Sequence, residues 1–181
     1  MIKTSEDFEK LFVEKFGDID RTTLSNLVNN KLRFELGAEE IGLKRFEQAL
    51  DRSYHIFSEC FRGSPIWLRI ILWDKQGEID LKNAGLVIEN ANSSLKRIGE
   101  EEVLYLYFKK YSQAILSPVM TSIINYELAQ EPSANITCYF INFEKSIIVN
   151  IYDDRGVDVY ALSRQVIATV SNKFHKWLID I

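Results

Sequence analysis

Hydrophobic positions recur along the chain with two different periods, and the switches between them mark the elements. Over residues 5–16, Phe8, Leu11, Phe12 and Phe16 share one helical face; Thr4 is placed to cap the first turn, with Asp7 inside it, and Gly17 ends the run. The polar stretch 18–30 reads as loop with a short turn of helix. Residues 31–37 alternate Leu32, Phe34 and Leu36 against Arg33 and Glu35, the period of a strand with one wet face. Helical spacing returns in 46–61, through Phe46, Ala49, Leu50, Ser53, Phe57, Cys60 and Phe61, and Gly63 stands where a left-handed cap belongs.

Residues 66–73 are apolar on both alternations except at Arg69, which predicts an interior strand covered on at least one face. Leu86, Ile88, Ala91, Leu95 and Ile98 fit a helix over 80–98, a fit that Gly85, Asn90 and Asn92 weaken. Alternation over 102–109 predicts a strand, and Pro118 suits the start of a helix over 119–129. Three strands follow at 136–143, 146–152 and 157–161, joined by tight turns. A closing helix is expected over 162–179, with Val166, Ile167, Val170, Phe174, Trp177 and Leu178 on one face. This order predicts an α+β fold in a single domain spanning 1–181, with a mostly antiparallel sheet of about five to six strands and helices mainly on one face.

Register then decides which side chains share a face. A two-residue turn at Glu144 and Lys145 sets Phe143 opposite Ser146, which sends Cys138, Phe140 and Asn142 to the core with Ile147, Val149 and Ile151. A three-residue loop, Asp154 to Gly156, closed by Asp153 and Val157, sends Val157, Val159 and Ala161 to the same side, whereas a two-residue loop would bury Asp158. The opposite face then carries Tyr139, Asn150, Tyr152, Asp158 and Tyr160, with Asp153, Asp154 and Arg155 at its end. Arg33, Glu35 and Arg69 join this face if their strands belong to the same sheet. Tyrosines among a few placed charges suit a protein contact. They are equally compatible with ordinary sheet residues half covered by the 80–98 segment.

Charge and composition narrow the function classes. The 22 Lys and Arg against 26 Asp and Glu give a net charge of −4. With basic residues scattered, that balance speaks against nucleic acid and favours a basic partner. No apolar run reaches membrane-spanning length, and the N-terminus has no secretory pattern, so the cytoplasm is the expected compartment. Cys60 and Cys138 fall on apolar stripes without metal-ligand spacing and read as buried thiols. His55 and His175 lie off the apolar faces of their helices and read as surface residues.

The segments RFELG at 33–37, YDDRGVDV at 152–159 and WLID at 177–180 resemble a bacterial family known as domain of unknown function 3885. The resemblance brackets residues 31–181, with 1–30 an N-terminal helix and loop. It implies a compact fold, assigns no reaction, and marks Arg33, Glu35, Asp153, Asp154, Arg155 and Asp158 for testing.

Two functions follow from these readings. The first is a non-enzymatic protein-binding domain, in concrete form an immunity protein neutralising a cognate bacterial toxin, with Tyr139, Asn150, Tyr152, Asp154, Asp158 and Tyr160 at the contact and no cofactor. The second is a metal-assisted enzyme, in which Asp153, Asp154, Asp158 and Glu35 hold a divalent ion and Arg155 or Arg33 orients a phosphate. An uncharacterised intracellular adaptor is a third expectation. The spacing offers no nucleophile and base pair. Asp-Asp-Arg-Gly is also ordinary turn chemistry, since Asp starts turns and Gly supplies the left-handed position.

Overall fold

A single eight-stranded sheet, antiparallel at every pairing, organises the protein. The computed structural model describes residues 4–17, 30–38, 42–88, 92–98 and 101–179. The strands are β1 (Lys31–Glu35), β2 (Ile66–Leu72), β3 (Asn92–Ile98), β4 (Glu101–Phe108), β5 (Ile136–Asn142), β6 (Ile147–Ile151), β7 (Gly156–Ala161) and β8 (Leu178–Ile179). They lie in the order β3-β4-β2-β5-β6-β7-β1-β8. The described helices are α1 (Ser5–Phe16), α2 (Gly42–Phe61), α3 (Gly77–Asn83), α4 (Gln113–Glu127) and α5 (Arg164–Lys173).

The two faces of the sheet are covered unequally. Against the first face pack Phe57, Cys60 and Phe61 of α2, Leu81 of α3, Met120 and Ile124 of α4, and Val170 of α5. They meet the inward residues of β1, β2, β4, β5, β6 and β7, among them Phe34, Leu68, Leu106, Phe140, Val149 and Val159. The second face is covered by α1, whose Phe8, Phe12 and Phe16 sit on Trp67, Tyr105, Ile141, Phe143 and Ile148. Phe8 is its centre, with ring centroids of Tyr105, Trp67 and Phe143 at 4.9, 5.5 and 5.5 Å. The α1 end is built as its sequence requires: the Asp7 amide donates to Thr4 Oγ1 at 3.3 Å, and the Thr4 amide returns a bond to Asp7 Oδ2 at 2.9 Å.

The α+β class holds, and the sheet has eight strands where about five to six were expected. The difference has two sources. The helix expected over 80–98 is the short α3 followed by edge strand β3. Gly85 at φ +99° stops the helix. In β3, Ser94 and Lys96 face α1, where Ser94 bonds Ser5 at 3.0 Å and Lys96 pairs with Glu9 at 2.7 Å. Polar residues on both alternations hide the strand period. At the other end, α5 stops at Lys173; a tight turn at His175–Trp177 leads into β8, which pairs Leu178 with Phe34 and Ile179 with Arg33. Helix α4 begins five residues before Pro118, which sits inside it, and Ala114, whose carbonyl the proline cannot bond, is exposed. The loop expected at 18–30 lies outside the described residues except for Asn30.

Truncating Phe8 to Ala removes the ring on which three others converge. It should lower unfolding free energy by about 3–5 kcal/mol, read from denaturant melts, while Val13→Ala on the exposed side of α1 should change it by about 0.5 kcal/mol or less.

Candidate functional site

The second face carries a rank of polar side chains running across the sheet. Register sets Ser94 opposite Tyr105, Tyr105 opposite Arg69 and Arg69 opposite Tyr139. Farther along, Asn150 lies opposite Asp158 and Asp158 opposite Arg33. Between the two groups the β5–β6 ladder ends at Phe140 and Val149. There the Asn150 amide donates to the Cys138 carbonyl at 3.0 Å, in place of a backbone bond. Burial raises the phenol pKa of both Tyr105 and Tyr139, and the positive charge of buried Arg69 between them opposes the rise.

Asp158 is the electrostatic centre of this face. It is only 4% exposed. Arg33 grips it bidentately, Nε to Oδ1 at 2.8 Å and Nη2 to Oδ2 at 3.0 Å, Lys31 reaches Oδ2 at 3.0 Å, and the Tyr160 hydroxyl donates to Oδ2 at 3.1 Å. Burial pushes the Asp158 carboxyl up, but the bonds from Arg33 and Lys31 outweigh it and hold the group below its ordinary value. Tyr160 moves the other way, raised by burial and by the carboxylate beside it.

The turn that follows β6 uses its acidic residues internally. Asp153 accepts the amides of Arg155 and Gly156 at 2.7 and 3.1 Å and binds the Arg155 guanidinium. Asp154, 5% exposed, is paired with Arg45 of α2. This corrects the placement of Asp154 at an open loop tip: a partner from another element draws it inward. The three carboxylates that a divalent ion would need together therefore face three separate cation sets, and Glu35 binds Arg52 at 3.3 Å. Among the described residues no group of three His, Cys, Asp or Glu is arranged to hold a metal.

The remaining sequence expectations are met in part. The first hairpin has the expected register, with its ladder ending at Asn142 and Ile147. The second is shifted by two residues, pairing Ile151 with Val157, because its turn is centred on Asp154 rather than Arg155, with the Tyr152 amide donating to the Gly156 carbonyl at 3.3 Å. An even shift preserves the faces, so Tyr139, Asn150, Tyr152, Asp158 and Tyr160 do share one. Of these, Asp158 and Tyr160 are buried, so neither stands open to a partner as expected; Tyr139 and Asn150 are half-buried and Tyr152 is exposed. The cover on this face is α1 rather than the 80–98 segment. Sequence reasoning missed Trp73, 50% exposed at the end of β2, whose Nε1 donates to Thr137 Oγ1 at 3.0 Å. Its signal was there: it continues the alternation Trp67, Arg69, Ile71 onto the second face.

Two of the three quoted motifs meet at one seam. The amides of Leu36 and Gly37 donate to the carbonyls of Arg155 and Asp154 at 2.7 and 2.9 Å. A Cβ on Gly37 would lie 2.7 Å from the Asp154 carbonyl oxygen and 2.8 Å from Arg45 Cγ. A Cβ on Gly156 would meet Tyr152 first, at 1.9 Å from its hydroxyl. The Tyr152 ring thus lies over Gly156, with the Arg33 guanidinium 5.0 Å from its centroid. The third motif joins through Leu178 and Ile179 on β1.

Three variants check this geometry. Asp158→Asn should lower stability at neutral pH by about 2–4 kcal/mol, since it breaks a buried pair. Because the native carboxyl titrates below its unfolded value, that contribution is complete above about pH 4 and is lost as pH falls through the native value. The variant should therefore lose less stability than the parent on acidification in melts between about pH 5 and 2. Gly37→Ala, blocked by backbone, should cost about 1–3 kcal/mol. Gly156→Ala should cost less and displace the Tyr152 ring, visible in its NMR ring shifts.

No curated protein and no solved structure matches the chain. The family model described as Domain of unknown function (DUF3885) matches residues 8–181, nearly the whole length, and the chain belongs to that family.

Proposed function

We propose that this protein is a non-enzymatic protein-binding domain that docks its partner on the second sheet face, at the rim formed by Trp73, Thr137 and Tyr152 with Tyr139 and Asn150 behind them. The observation that carries this reading is a pair of large aromatic residues held in fixed poses while open to solvent. Trp73 is tied to Thr137, and Tyr152, 38% exposed, rests on Gly156 beside Arg33. Aromatic side chains already immobilised lose little entropy on association and supply large contact areas.

The charges support a division of labour. Asp153, Asp154 and Asp158 are paired within the fold, with Arg155, with Arg45, and with Arg33 and Lys31, so these three carboxylates add no unpaired charge at the contact. The net charge of −4 acts at longer range and favours a basic partner. In its most concrete form the protein is an immunity protein that neutralises a cognate bacterial toxin domain. Two buried, unpaired thiols fit the reducing cytoplasm as its compartment. Burial pushes the Cys60 thiol up to about 12, which keeps it protonated and unreactive.

Copurification from the native cell, followed by mass spectrometry, identifies the partner. Calorimetry should then show Trp73→Ala and Tyr152→Ala each weakening binding by about 1–3 kcal/mol, with thermal midpoints close to the parent's. Tyr160→Phe should lower stability, through its lost bond to Asp158, and leave affinity unchanged. Full affinity in both aromatic variants would refute the docking site.

A further inference from the structure

On the opposite, helical side of the sheet lies a second site. Both histidines of the chain, His55 from α2 and His175 from the turn after α5, line one cavity of about 400 Å³ with Lys173, Lys176, Phe174 and Trp177. The two histidines stand 120 positions apart in sequence, and the packing of α2 beside α5 brings them together. The aromatic wall is fixed. Trp177 stacks on Phe174 at 5.2 Å with the rings 10° apart, and it takes the Arg52 guanidinium at 5.3 Å from its centroid. Arg52 is in turn held by the Glu35 carbonyl at 3.0 Å. His55 lies 6.2 Å from the same indole.

The charge of this cavity runs against that of the molecule. In a chain of net charge −4, two lysines and two imidazoles converge on a space that no carboxylate lines among the described residues. Asp51 lies 3.7 Å from His55 and Glu59 pairs with Lys173, both outside the lining. These two acids meet their partners from outside the space, and the side turned into it, with Lys176 and His175, is cationic among the described residues. That favours an anion, and the flat wall beside it favours a ring. The volume suits a small molecule of about twenty to thirty heavy atoms.

We propose that this cavity binds an organic phosphate of mononucleotide size, the phosphate against Lys173, Lys176 and His175 and a planar base against Trp177 and His55. The site is independent of the protein contact on the other face, so each stands or falls alone.

The chain supplies its own reporters, because its only two histidines both line the cavity. Adenosine monophosphate titrated into the full-length protein should shift the ring signals of His55 and His175 in NMR spectra along one saturable curve, with half-saturation below about 1 mM. Adenosine and inorganic phosphate, each carrying half of the recognised chemistry, should bind at least about tenfold more weakly. Lys176→Ala should weaken the nucleotide about 5–10-fold with an unchanged thermal midpoint. Static histidine signals up to about 10 mM nucleotide, inorganic phosphate binding as tightly as the nucleotide, or undiminished affinity in Lys176→Ala would each overturn the proposal.

Discussion

The buried carboxylate of Asp158 is the constraint around which one half of the sheet is arranged. A charge removed from water to this extent survives only with its partners in place. Those partners come from β1, a strand more than 120 positions away: Lys31 and Arg33 both reach it, and Tyr160 closes the remaining direction. Satisfying that group therefore fixes β1 beside β7 in a single register, since a slip by one residue would turn Arg33 to the apolar face and leave Asp158 unpaired. With β1 fixed, its outer edge receives β8, and its far end, at Leu36 and Gly37, meets the turn that precedes β7. The motif residues form a brace between distant parts of the chain, so their chemistry is absorbed by the fold and the rim beside them is left for recognition.

What the sequence makes legible follows from how cleanly each element keeps one period. Helices α1 and α2 each have one buried side, and the strands of the last hairpins keep one face almost wholly apolar, so the period is uninterrupted and the faces can be assigned. Strand β3 lies at an edge with polar residues on both sides, and period gives no purchase there. The last segment misleads in the opposite way. Phe174, Trp177 and Leu178 keep helical spacing although the helix has ended, because a tight turn and a two-residue strand return them to the same core. The candidate site was legible as a face and not as a set of charges. Alternation locates Asp158 and sets Arg33 on the same face once its strand joins the sheet, but nothing local to Asp154 announces Arg45.

The two sides of the sheet also divide polar chemistry differently. On the first face the helices bury an almost wholly apolar set, and its polar members, such as Ser53 and Asn142, are bonded to nearby carbonyls. On the second face the cover among the described residues is one three-turn helix. Beyond its three phenylalanines the sheet is finished with tyrosine, asparagine and paired ions, groups that tolerate partial solvent. The same economy of cover that forces ion pairing at Asp158 leaves Trp73 and Tyr152 in the open.

The strand order has a consequence for how the molecule comes into being. During synthesis β1 leaves the ribosome long before its neighbours β7 and β8. Strand β2, by contrast, gains one neighbour some forty residues later in β4 and the other in β5. Pairing among β2, β4 and β5 therefore becomes available before β1 has either of its neighbours. Until then Phe34 is unburied and Lys31 and Arg33 have no acid to bind. Assembly dominated by such distant pairings is slow, and during it the exposed edge of β7 is the surface a chaperone or a second nascent chain would meet.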